Sequence, residues 1–157
     1  MKLNYRKIYK YCFQAKETDC VKLFNEIADL PYVPIHGPIH HYIVPSVMLT
    51  CYNNIYGDKD KLKPQLIEAY KRSKVVPGGN CASCGYCGAA AGVGIFLSII
   101  LNNNPLEEES WSKVMEVSAT VSKEIAKNGG PRCCKRDSYI AIITAVGEIE
   151  EKFGIQL

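Results

Sequence analysis

Gly88-Ala-Ala-Ala-Gly-Val-Gly-Ile-Phe-Leu-Ser-Ile-Ile-Leu101 is the longest apolar run in the chain, broken only by Ser98. Its 14 residues are too few to cross a bilayer and suit a buried helix. Gly88, Ala91, Gly92 and Ile95 recur at spacings of three and four, and the small residues among them let another backbone approach closely. This helix, from about Cys87 to Leu101, is expected to be the most buried element. Working outward, the periodicity stays helical. Thr18 can cap a helix with Val21, Phe24, Ile27 and Ala28 on one side, ending before Pro31. Residues 36–56 read as a helix with a break or kink at Pro45, closed by Gly57-Asp58. Leu62, Leu66, Ile67 and Tyr70 mark a third helix, with Pro64 expected in its first turn. Asn104-Pro105-Leu106-Glu107 reads as a helix start whose apolar face carries Trp111, Val114, Met115, Val121 and Ile125. Asn128-Gly129-Gly130-Pro131 ends it, and a last helix runs from about Cys134 to Lys152. Residues 4–13 fit strand or helix equally. The expected fold is all-α, a single-domain bundle (1–157) of about six helices around one central apolar helix.

The chain has 157 residues, 47% hydrophobic and 22% charged, with no repeat or low-complexity tract. That mix excludes disorder, collagen and coiled coil. A net charge of +3, without aromatics interleaved in a basic patch, gives no support to nucleic-acid binding. Walker loop, nucleophile elbow and H-E-x-x-H are all absent. No apolar segment follows the basic start Met1-Lys2-Leu3-Asn4-Tyr5-Arg6-Lys7, so a cytosolic protein without a membrane partner is expected. In that compartment thiols stay reduced, and the eight cysteines read as metal ligands or reactive thiols rather than disulfides.

Cys81-Ala-Ser-Cys84-Gly-Tyr-Cys87 is a C-x2-C-x2-C run. Two-residue spacers let neighbouring thiolates converge on one ion or cluster, and the run leads into the positive end of the apolar helix. Cys133-Cys134 sits in the same grammar, where a Gly-Gly-Pro loop enters a helix. Adjacent residues rarely both ligate one metal. Cys133 is therefore the candidate fourth ligand and Cys134 the candidate reactive thiol, with their roles interchangeable. Arg132, Lys135 and Arg136 surround the pair; cations there offset thiolate charge or hold an anionic small molecule or cofactor. All three histidines fall in His36-Gly37-Pro38-Ile39-His40-His41. On a helix His36 and His40 share a face, which makes His36 a candidate ligand and His40, with His41, a candidate acid–base group. His40 is the one expected to face the site. Cys12, Cys20 and Cys51 are isolated and read as core residues.

The stretches 36–41, 79–92 and 129–136 together resemble an uncharacterised family, domain of unknown function 5714. The resemblance runs from about residue 30 to 150. It implies a role in the metabolism of anaerobic bacteria and archaea, and a methyltransferase or radical-chemistry enzyme as partner. It implies no activity. Three functions remain from the residues. One is an iron–sulfur protein whose open iron acts as a Lewis acid beside His40 or His41. The others are a structural zinc module and a thiol redox or sulfur-transfer protein.

Overall fold

A computed structural model describes residues 1–157. The chain is all-helical, in the order α1 (Leu3–Gln14), α2 (Cys20–Ala28), α3 (His40–Tyr56), α4 (Lys59–Ser73), α5 (Asn80–Ser83), α6 (Gly88–Ile100), α7 (Glu109–Lys127) and α8 (Cys134–Phe153). Two helices go beyond the expected six. The ambiguous N-terminal segment is α1, which buries Tyr5, Ile8 and Cys12 along one face. The single turn α5 lies in what reads as a loop, inside the cysteine run. No helix is long and apolar enough to cross a membrane.

The centre of the bundle differs from expectation. Helix α3 buries 13 of its 17 residues, whereas the more apolar α6 buries 8 of 13. Hydropathy under-reads α3 because Ser46, Thr50 and Asn53 are buried. Each satisfies its side chain on the carbonyl four residues back, at 2.7 Å. Helix α3 packs against α1, α2, α4, α6 and α8, and α6 lies between α3, α4, α7 and α8. Their crossing is close at Gly92, where an added Cβ would stand 2.9 Å from Val44 Cβ and from Pro45 Cδ. Of the expected break or kink at Pro45, the break does not occur: the helix continues through it. One amide is lost from its hydrogen-bond ladder, and the proline ring serves as packing surface.

Several boundaries also move. Residues 36–39 are not helical. Gly37 has φ +141°, and His40 and His41 begin α3 by donating N–H to Gly37 and Pro38. Asp19 rather than Thr18 caps α2, through Lys22 N–H at 2.9 Å. Asp58 caps α4, which places Pro64 beyond its first turn. Asn104 does not start a helix. Its side chain closes a local turn on Leu106 N–H at 2.9 Å, and α7 begins at Glu109. Cys12, Cys20 and Cys51 are buried in the core as expected.

Candidate metal centre

Two helix entrances meet one cavity. The first is the segment from Gly79, through α5, to Cys87, which is the N-cap residue of α6. The second is Arg132 to Asp137, at the start of α8. They enclose about 280 Å³, lined by Cys81, Cys87, Cys134, His40, His41, Arg132 and Asp137, with Gly37, Pro38, Gly88 and neighbouring backbone. A second cavity of about 370 Å³ shares Cys81, Cys87, Arg132 and Asp137 with the first and is bordered by Gly129, Gly130 and Arg136.

The cysteines divide. Cys81, Cys87 and Cys134 line the cavity. Cys84 is exposed at the end of α5, 3.7 Å from the Ser83 hydroxyl. Cys133 caps α8, its sulfur accepting the Arg136 N–H at 3.5 Å. The Cys134 sulfur accepts the Gly37 N–H at 3.5 Å, and Lys135 N–H donates to Ile35 carbonyl at 3.1 Å. The 35–37 loop is thus tied to the entrance of α8. Burial raises the Cys87 thiol above its ordinary range; the N–H groups of Ala89 and Ala90 pull it down, and the charge of Asp137 pushes it up.

The three histidines separate as well. His36 lies outside both helix and cavity, so it shares no helical face with His40; Gly37 and Pro38 break that relation. His40 is buried, with Nε2 donating to Pro34 carbonyl at 2.8 Å and Nδ1 3.4 Å from Ser138 Oγ. His41 is buried too, and its Nδ1 donates to Val76 carbonyl at 3.1 Å. Burial lowers both rings below the ordinary histidine range, against the pull of those carbonyls.

Of the three cations, Arg132 alone lines the 280 Å³ cavity. Lys135 pairs with Asp29 at 2.9 Å. Arg136 pairs with the buried carboxylate of Asp137 at 2.9 Å and donates to Gly129 carbonyl, which braces the Gly-Gly turn against α8. Asp137 is a site residue that the motif reading passed over. Its signal is an acidic residue in the first turn of a helix that begins in the cysteine pair.

A sequence model described as Family of unknown function (DUF5714) matches residues 8–157. The chain belongs to that family. The match takes in most of α1, which the resemblance legible in the motifs left outside. No curated protein and no solved structure matches the chain.

Three thiols and a neutral imidazole around one cavity form a donor set chemically suited to a cluster or to zinc. In this DUF5714 chain no three His, Cys, Asp or Glu side chains are gathered closely enough to hold an ion. The residues share a cavity wall without forming a preassembled metal site. A single helical turn is marginal in isolation, and α5 has left-handed glycines on either side, Gly79 at φ +84° and Gly85 at φ +66°. Metal sites are rarely preformed without their metal, so ligation and ordering of this segment would be coupled.

Proposed function

We propose that this chain is an iron–sulfur protein whose cluster is held at the cavity between the entrances of α6 and α8. The observation that carries the reading is the meeting of Cys81, Cys87 and Cys134, from two distant segments, on one cavity wall. The C-x2-C-x2-C spacing of residues 81–87 favours a cluster over a single zinc ion. Such a cluster supplies one-electron chemistry. The chain's own residues account for the rest. Gly37 N–H fixes the Cys134 sulfur, the N-terminus of α6 faces Cys87, and Arg132 offsets thiolate charge. His40 anchors the 34–37 loop through Pro34 and so positions Cys134 indirectly.

Anaerobic reconstitution with ferrous iron and sulfide tests the reading. Stoichiometric iron with acid-labile sulfide and visible absorption is the expected result. A colourless protein retaining one zinc and no sulfide would replace the cluster with a structural zinc site.

A further inference from the structure

Away from the cavity, the charges of the chain are unevenly placed. Residues 1–16 and 59–74 together hold 11 of the 19 Lys and Arg residues but only two of the 16 carboxylates, Asp60 and Glu68. The net charge of +3 therefore joins a strongly basic part to a net negative remainder. Folding brings the two basic segments side by side. Tyr5 meets Tyr70 edge to face at 5.3 Å, Lys74 lies over the Tyr5 ring at 5.3 Å, and Lys59 Nζ donates to Ala15 carbonyl at 3.5 Å. Helices α1 and α4 are thus antiparallel neighbours on the surface.

A groove runs between them. With successive side chains turned by the helical period, the flank of α1 toward α4 carries Arg6, Tyr9 and Phe13, and the flank of α4 toward α1 carries Lys63 and Ile67 beside Tyr70. Phe13 stacks on Tyr9, with rings 6.2 Å apart and 3° from parallel, and Phe13 and Ile67 are 37% and 38% exposed. An apolar seam therefore lies between exposed cations, Lys2, Arg6 and Lys10 on one side and Lys63 and Lys74 on the other. None of these five pairs with a carboxylate; Glu68, on the far flank of α4, takes Lys71 and Arg72.

We propose that the α1–α4 groove docks an acidic amphipathic helix of a partner protein. The apolar stripe of that helix lies on Phe13 and Ile67, and carboxylates on its flanks meet the two rows of cations. Helix-in-groove recognition uses such a stripe, and complementary charge sets partner choice and encounter rate. The seam argues against other anionic occupants. Single-stranded nucleic acid needs a series of open ring faces, whereas the seam offers Phe13 with one face already covered by Tyr9. A lipid surface needs protruding apolar side chains, whereas Phe13 and Ile67 are more covered than exposed. At one end of the groove Lys2, Asn4 and Lys74 line a cleft of about 470 Å³ together with Gly37 and Pro38, which also wall the cysteine cavity. A helix seated there ends one loop away from Cys134, whatever that cavity holds.

Fluorescence anisotropy on the metal-free full chain tests this. The probe is a labelled peptide of about 18 residues, roughly five helical turns, with leucines on one face and glutamates on its flanks. Saturable binding that weakens with added salt is the expected result. It should fall about tenfold or more in Arg6→Glu/Lys63→Glu and in Phe13→Ser/Ile67→Ser, with helix content by circular dichroism unchanged. A peptide of the same composition with its leucines scattered should bind about tenfold more weakly or worse. No saturable binding of the amphipathic peptide, or equal binding of the scattered one, overturns the proposal. Tighter binding of oligodeoxythymidine or of phosphatidylserine vesicles, lost in Arg6→Glu/Lys63→Glu, also overturns it and gives the face to nucleic acid or lipid. Cluster reconstitution is a separate measurement, so the cluster reading stands or falls independently of these results.

Discussion

The ring of His41 fills the space where a side chain on Gly88 would stand. Both are buried at the crossing of α3 with the start of α6. Gly88→Ala therefore forces the imidazole or the helix entrance to move. The expected loss is about 1–3 kcal/mol in denaturant unfolding of the metal-free protein. Truncating the ring makes room, so the double variant with His41→Ala should lose clearly less than the sum of the two single losses. Additive losses would show that the overlap is relieved elsewhere.

Gly92 makes the second tight crossing of the same two helices. Alanine normally improves a helix interior over glycine by up to about 1 kcal/mol. Here the added methyl meets Val44 Cβ and Pro45 Cδ at 2.9 Å. These atoms sit next to the backbone and have little freedom to move aside. Gly92→Ala should accordingly destabilise rather than stabilise, and Gly92→Leu should lose about 1–3 kcal/mol or more. Unchanged or raised thermal midpoints in both would place the crossing farther apart than it is here.

Burial holds His40 below the ordinary histidine value of about 6.5, so the folded chain resists protonating it while the unfolded chain does not. Between those two values the unfolded state binds more protons. Stability is therefore greatest above the unfolded value and falls as pH drops through this window. His41 adds in the same sense. Unfolding free energies of the metal-free protein at about pH 7.5 and about pH 5.5 should show the loss, at most about 1.4 kcal/mol per pH unit for each proton. His40→Gln keeps an N–H donor for Pro34 and removes the titration. A smaller pH difference is expected in that variant; an unchanged difference would assign the effect to other groups.

Most of the fold was legible because helical period depends on local residue spacing. Helix α8 begins at Cys134, as its loop grammar indicates. What stayed hidden depended on tertiary partners. The polar residues of α3 lower its apparent hydrophobicity, yet they bond within their own helix and sit at the centre of the core. Asn104-Pro105 carries the residues of a helix start and uses them for a turn. In the site, the glycine-flanked cysteine runs were visible as spacing. His40, the histidine expected there, lines that cavity together with His41, and how the His41 ring is held was not legible, since that depends on Val76 and Gly88, both far from it in sequence. The expected shared helical face of His36 and His40 does not form, because α3 begins only at His40 and residues 36–39 lie outside it.

Cys133 and Cys134 are adjacent but hold different positions, which gives a dissociable prediction. Cys133 sulfur caps α8 through Arg136 N–H and does not line the cavity. Serine is a better N-cap than a thiol, since its hydroxyl is a stronger acceptor. Cys133→Ser should leave stability within about 1 kcal/mol of the parent, or slightly above it, with cluster content unchanged. Cys134 sulfur lines the cavity beside Cys81 and Cys87, held by Gly37 N–H at 3.5 Å. Cys134→Ser preserves an acceptor for Gly37, so the fold should survive, while the loss of a thiolate should sharply reduce iron and sulfide retained after reconstitution. Iron analysis alongside circular dichroism of the two variants separates the roles. Loss of cluster in Cys133→Ser with retention in Cys134→Ser would reverse the assignment and require the start of α8 to turn its other sulfur inward.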